Sequence, residues 1–340
     1  MTNPEKPREA PRRQRLLVLC PVYNEEVNIQ YFFDRLKPVF EQIDPQKYEC
    51  RLLFTNNRST DKTLDRVREL HLAYEWVDYL TLSRNHGYQR SVLAGLANCE
   101  ADLYMVCDVD CEDPPELLPT FLQKIETGSD HVYGIRSDRP EPWLMLKARG
   151  AFYWILRSVG DNKMIPYMAE FGLFRRCVRD VLIENSNSFP FLRAEIGYAG
   201  FVVTGVPYKR EPRRFGKTHY NVLGNTRFAV AGLLTSTTFP LRALLYGLPF
   251  LLAINVLACV LFAGSVLTFA GAAMTLLFVN LSYLASGLAF CAVYLARTYQ
   301  NGLGRPRYIV DWTQTSIPRP ADAAITRSER ALPRSLPERV

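Results

Sequence analysis

Apolar and polar positions fall into alternating blocks along the first hundred residues. "RLLVLCPVY" (15–23) reads as a strand, and residues 25–41 place Ile29, Phe32, Phe33, Leu36 and Phe40 at helical spacing. "CRLLFT" (50–55) predicts a second strand, followed by "NNRSTD" and a helix running to about Leu72. "DYLTLS" (78–83) predicts a third strand, "GYQRSVLAGLANC" the helix after it, and "DLYMVC" (102–107) a fourth strand. Such strand–helix alternation implies an α/β, doubly wound, mostly parallel sheet. Ligands of these sheets sit outside the carboxyl ends of the strands. Here those ends carry Pro21–Glu25, Asn56–Asp61, Ser83–Gly87 and Asp108–Asp110.

The pattern changes near residue 243. From Ala243 to Ala296, about 54 residues, there is no Lys, Arg, Asp, Glu or His. As helix this is roughly 80 Å, enough for two crossings of a hydrocarbon core about 30 Å thick. The tight turn between them is expected around "FAGAA", near Gly271. A hairpin buried inside a soluble protein would show polar stripes, and this stretch has none. Arg213, Arg214, Lys217, Arg227 and Arg242 precede it, and Arg297, Arg305 and Arg307 follow. That excess of positive charge puts both flanks on the cytoplasmic side.

The organisation expected is a basic arm without structure (1–15), a cytosolic catalytic domain (16–220), a juxtamembrane segment (221–242), two transmembrane helices (243–297) and a cytosolic tail (298–340). The tail is proline-rich, charged and expected to be largely disordered after 311. Residues 221–242 suit either an interfacial helix or a core helix. "LLVLC" is too short for the apolar region of a signal peptide. The setting is then an inner, plasma membrane crossed twice, with both termini cytoplasmic. The chain has 340 residues, 48% of them hydrophobic. Its eight cysteines lack paired spacing, as expected of reduced thiols, and with four histidines no zinc tetrad suggests itself. The net charge of +7 is accounted for by the membrane flanks, so no nucleic-acid partner is implied.

Against that balance, "CDVDCEDPPE" (107–116) is half acidic. Asp113 and Glu116 suit the start of a helix at "DPPE". Asp108 and Asp110 lie nearer the sheet and, at i and i+2, would aim two carboxylates at one point. Such a pair needs a cation, and oxygen ligands suit Mg²⁺ or Mn²⁺ with positions left open for phosphates.

"CPVYNEEVNI", "NNRSTDKT", "LSRNHGYQRSVLAGL", "DVDCEDPPE", "YGIRSDR", "EFGLFRRCV", "RRFGKTHY" and "YLARTYQNGLGRPRYIV" occur in the order seen in glycosyltransferase family 2. Over about residues 16–310 the chain resembles its membrane-anchored polyprenyl-phosphate glycosyltransferases, relatives of dolichyl-phosphate mannose synthase and of the bactoprenol glucosyltransferases. The resemblance implies a GT-A fold, a UDP- or GDP-sugar donor, a polyprenyl-phosphate acceptor and an inverting transfer. It implies that Asp108 and Asp110 hold the metal, with Glu112, where Gln is usual, approaching the same ion. Pro21, Tyr23, Glu25, Asn56 and Asp61 would line the nucleotide pocket. Arg136 and Arg139 would reach phosphates, and Arg213, Lys217, Thr218 and Tyr220 belong to a loop closing over the acceptor.

Asn56-Asn57 replace the usual Asp-Asp, with Arg58 where Gly is usual; Gly172 replaces Arg, and His219 replaces Lys, with Lys217 as substitute. Glu170 stands where an Asp is taken as the catalytic base. A phosphate monoester has a second pKa near ~6, so the acceptor needs positioning more than deprotonation. Two rivals are a processive polysaccharide synthase, whose Gln-x-x-Arg-Trp is missing, and a phosphatase, whose Asp-x-Asp follows a first strand. The others are a non-catalytic membrane-tethered module and a transferase acting on another lipid. A homo-oligomer of the chain is left open.

Overall fold

The computed structural model describes residues 12–136, 147, 165, 168–185, 187–215 and 237–319. Seven strands form one sheet: β1 (Gln14–Val22), β2 (Tyr48–Asn56), β3 (Val77–Thr81), β4 (Leu103–Val106), β5 (His131–Arg136), β6 (Met168–Arg175) and β7 (Val203–Tyr208). Their order is β3-β2-β1-β4-β6-β5-β7. The first four strands pair in parallel, as the alternation predicts. β6 runs antiparallel to both β4 and β5, and β7 is again parallel to β5. The sheet is therefore mixed beyond β4.

Alternate residues of one strand feed opposite layers, so every position of β1 after Arg15 is buried. Leu16, Val18 and Cys20 pack with α1 (Ile29–Gln42), α2 (Thr63–Ala73) and α4 (Leu118–Glu126) through Phe32, Phe33, Val67 and Phe121. Leu17 and Leu19 face the other layer, made by α3 (Tyr88–Asn98), α5 (Arg176–Glu184) and α6 (Leu192–Ala199), with Val92, Val178 and Ile196. This is the α/β, GT-A-type layering expected, with all the strand carboxyl ends of β1 to β4 on one rim.

Two long helices complete the fold, α7 (Phe239–Ala263) and α8 (Phe269–Gly302). Their apolar windows have mean hydropathy 2.3 and 1.9 and are almost wholly exposed, so no layer of the described residues covers them. At about 1.5 Å per residue both exceed the ~30 Å of a hydrocarbon core. The turn lies at Gly264–Thr268 rather than at "FAGAA", which opens α8. Thr268 decides this: its Oγ1 accepts from the Gly271 amide at 3.1 Å and caps the helix. Between the two helices Asn255 and Asn280 exchange side-chain hydrogen bonds of 3.1 and 2.8 Å. Residues 221–236 of the juxtamembrane segment lie outside the described residues, as do 1–11 and 320–340. All eight cysteines are free thiols.

The tail departs from expectation. Residues 312–319 are built onto the sheet instead of lacking structure. Leu82 and Val310 form an antiparallel bridge. The Asp311 amide donates to the Thr81 carbonyl at 2.8 Å, and the Ser316 amide to the Tyr79 carbonyl at 2.9 Å. In return Thr315 Oγ1 and Ser316 Oγ accept from the Thr81 and Tyr79 amides, at 3.1 and 2.8 Å. The strap thus covers the otherwise open edge of β3, and Tyr308, Val310 and Ile317 add apolar contact. Its hydroxyls, which composition counts as polar and soluble, are spent on backbone groups. Ser316→Ala should speed amide exchange at Tyr79 about tenfold, the value of one lost hydrogen bond. Unchanged exchange in hydrogen–deuterium measurements would contradict this account.

Candidate active site

The rim at the ends of β1, β2 and β4 is built from strained turns. Three of the four non-glycine residues with left-handed backbone among the described residues sit there: Asn24 (φ 54°), Arg58 (φ 62°) and Cys111 (φ 55°). Each is held by its neighbours. Asn24 accepts from the Thr60 amide at 2.8 Å, and its own amide donates to Ser59 Oγ at 3.0 Å. Arg58 pairs with Asp311 of the strap at 2.9 Å.

Several expected donor-pocket residues turn out to stitch this rim together. Asp61 uses Oδ1 on the amide and hydroxyl of Thr63, at 3.0 and 2.6 Å, and Oδ2 on the Glu26 amide at 3.3 Å. Asn57 bridges to the β3 loop through Asn85 Oδ1 (3.0 Å) and the His86 amide (2.8 Å). Asn56 accepts from the Ser59 amide at 3.0 Å, while its buried Nδ2 has no partner. A buried donor left open is what a ligand acceptor would satisfy. Pro21 is buried and Tyr23 is exposed at the mouth.

The acidic stretch is neutralised by arginines from three other segments. Arg35 of α1 forks Glu116 with two bonds of 2.7 Å and reaches Glu211 at 2.9 and 3.0 Å. Asp113 is buried against Arg136 (2.7 Å) and the Tyr208 hydroxyl. Glu112 pairs with Arg210. Arg213 donates to both Glu25 oxygens at 2.7 Å and lies 3.7 Å from Asp110. A helical turn does start at "DPPE", at Pro115 with Glu116 in its first turn, but neither Asp113 nor Glu116 makes a side-chain cap bond there. Their charge is used on the arginines that brace this loop.

Asp108 is the one acid of the five with no arginine partner among the described residues. The Tyr88 hydroxyl donates to it at 2.8 Å. Burial, then the negative charges of Asp110 and Asp113, push its pKa up to about 7. Burial also raises Asp110, against its bond from the Glu112 amide (3.1 Å) and the pull of Arg213. No cluster of three metal-ligating side chains forms among the described residues. The Asp108–Asp110 turn nevertheless fits a divalent cation, since both groups are desolvated oxygen donors and Asp108 has no counter-charge.

Glu170, on β6, is clamped on two sides. Gln89 donates to its Oε1 at 2.6 Å, and Arg193 Nε lies 3.2 Å away. Gln89 also accepts from the Leu192 amide at 3.1 Å, linking α3 to α6. Nearby, a Cβ at Gly172 would lie 2.6 Å from the Val132 carbonyl, which excludes a side chain there. Of the expected phosphate ligands, Arg136 and Arg213 are committed to carboxylates, while Arg139, Lys217, Thr218, His219 and Tyr220 lie outside the described residues. Tyr88, Gln89, Arg193 and Arg210 were not anticipated. The first two sit within "GYQRSVLAGL", which shows a helix but not which first-turn side chains face the rim.

Residues 17–177 match the family described as glycosyl transferase family 2. The uncharacterized glycosyltransferase YkcC of Bacillus subtilis is 32% identical over 86% of this chain and 92% of its own length. The prophage bactoprenol glucosyl transferase homolog of Escherichia coli K12 is 28% identical, over 87% of this chain and 98% of that one. Glucosyl-3-phosphoglycerate synthase from Mycobacterium tuberculosis, solved with UDP, aligns over 65% of this chain and 79% of that chain, at 17% identity and a TM-score of 0.47.

The raised Asp108 pKa sets a pH dependence. The folded chain keeps a proton that the unfolded chain has released between the ordinary carboxylate range and about pH 7, so metal-free stability falls as pH rises through that window. At pH 8 without metal, Asp108→Asn should melt a few degrees higher than wild type, and the difference should close at pH 4. Mn²⁺ should raise the melting temperature of wild type alone. A lower melting temperature for the variant at pH 8 would refute this.

Proposed function

The chain belongs to glycosyltransferase family 2, and on that premise we propose that it transfers a sugar, with inversion, from a UDP- or GDP-sugar to a polyprenyl phosphate. The observation that carries the acceptor half is the docking of α8 beside Glu170. The Ser188 amide donates to Asn301 Oδ1 at 2.9 Å, Ser188 Oγ donates to the Gln300 carbonyl at 3.3 Å, and Arg297 lies over the Phe189 ring at 4.8 Å. Four residues later Leu192 bonds Gln89, the partner of Glu170. A lipid running beside α8 would thus bring its headgroup to the rim without leaving the bilayer. The bactoprenol glucosyl transferase name of the Escherichia coli relative agrees with this acceptor class.

In this reading the nucleotide lies over Pro21, Tyr23, Glu25, Asn56 and Asp61, with the open Asn56 Nδ2 donating to a carbonyl of the base. Asp108 and Asp110 would hold Mg²⁺ or Mn²⁺, and Glu112 could join them by leaving Arg210. Once bound, the ion offsets charge on the departing nucleoside diphosphate. Arg213, fixed by Glu25, is placed to meet the same diphosphate. An acceptor phosphate oxygen attacks the anomeric carbon and bonds to it, while the bond from that carbon to the donor diphosphate breaks and its electron pair leaves on the diphosphate oxygen.

Glu170 is held in place between Arg193 and Gln89. Its part is to orient, because the acceptor is already an anion near neutral pH. Arg139, Lys217 and Thr218 are proposed to close over the acceptor. The charge bias of the helix flanks puts the catalytic domain and both termini on the cytoplasmic side.

Membranes holding the full chain, given Mn²⁺, polyprenyl phosphate and a panel of UDP- and GDP-sugars, should yield one glycolipid by mass. No product with any donor would overturn the reading. Asp110→Asn should lower turnover at least about tenfold more than Glu170→Gln does, a barrier difference of about 1.4 kcal/mol. Equal losses would return Glu170 to the role of an essential base.

A further inference from the structure

Three consecutive residues in the first turn of α3 reach three different parts of the site. The Tyr88 hydroxyl bonds Asp108, Gln89 bonds Glu170, and Arg90 Nη2 donates to the Ser188 carbonyl at 2.7 Å. Ser188 is the residue on which the end of α8 docks. Arg90 therefore stands between the candidate sugar-transfer centre and the membrane helix. Burial, and then the charge of Arg84, exposed on the loop before α3, lower the proton affinity of Arg90. Neither arginine meets a carboxylate among the described residues, whereas Arg136, Arg193, Arg210 and Arg213 each do. Between them His86 is buried, with Nδ1 lacking a partner. The eleven-residue α3 opens at Gly87 (φ 87°), and the first-turn amides of a helix are unsatisfied donors that favour anions.

We propose that Arg84, Arg90, His86 and the first turn of α3 bind the phosphate of the lipid acceptor. The assignment rests on the polyprenyl-phosphate reading above and moves recognition of that group away from Arg136 and Arg213. Guanidinium forks match phosphate oxygens in pairs. A phosphate held there lies beside the residues that contact Asp108 and Glu170, and its prenyl tail has the flank of α8 to follow.

The test uses the full chain in nanodiscs of zwitterionic lipid. Native mass spectrometry measures bound polyprenyl phosphate and the dephosphorylated polyprenol, and thermal shift measures UDP or GDP with Mn²⁺ and inorganic phosphate. Arg84→Gln and Arg90→Gln should each weaken polyprenyl phosphate binding about tenfold, leaving polyprenol and nucleotide binding unchanged. Arg90→Lys should keep part of the affinity, and Arg305→Gln, exposed just beyond the end of α8, all of it.

If wild type binds the lipid and the variants bind it equally well, this assignment fails while the proposed function stands. If wild type binds no polyprenyl phosphate, the acceptor reading fails, and this assignment with it. Parallel loss of nucleotide binding would give the cluster to the donor diphosphate. A thermal shift by inorganic phosphate that the variants abolish, with lipid binding intact, would make it a site for free phosphate.

Discussion

The structure turns on a surplus of negative charge at the end of β4. Five acids in ten residues cannot share one rim without compensation, and the chain supplies it from afar. Arg35 comes from α1, Arg136 from the end of β5, and Arg210 and Arg213 from the segment after β7. Each pair fixes the loop and spends its own charge. What is left over is Asp108, desolvated and bonded to a neutral hydroxyl. Among the described residues it is the one acid of the stretch that no arginine reaches, which is what the proposed cation site calls for.

The second constraint is distance from the bilayer. α8 runs past the length needed to cross a membrane, and its final turns are bonded to the 187–189 loop. Beyond it, the chain returns to β3 and ties Asp311 to Arg58 in the loop after β2. The apolar hairpin is thus attached to the sheet domain on both sides of the rim, at the α3–α6 junction and at the loop after β2. If the two helices cross a bilayer as proposed, these hydrogen bonds fix the rim relative to the end of α8.

The same geometry explains the departures from family pattern. Asn57 is a two-sided bridge between the β2 and β3 loops, a role an Asp could fill only on its acceptor side. Arg58 adopts a backbone shape favouring glycine because the strap holds its guanidinium. Gly172 faces a carbonyl of the neighbouring strand at a distance no side chain tolerates.

Hydrophobic periodicity by itself determined the four parallel strands, the helices between them, and the pair of apolar helices near the C-terminus. These follow from local spacing, which the chain carries within ten or twenty residues. The strand ends, and hence Asp108, Asp110 and the Asn56 loop, came with them. The antiparallel run of β6, the strap from 309 to 316 and the α3–Glu170–α8 linkage were decided only by tertiary structure. Each depends on partners roughly 30 to 240 residues apart, such as Ile135 with Met168, Gln89 with Glu170 and Tyr79 with Ser316. Spacing along the chain holds no record of such partners, because a hydrogen bond between distant segments forms only where packing has already set both groups face to face.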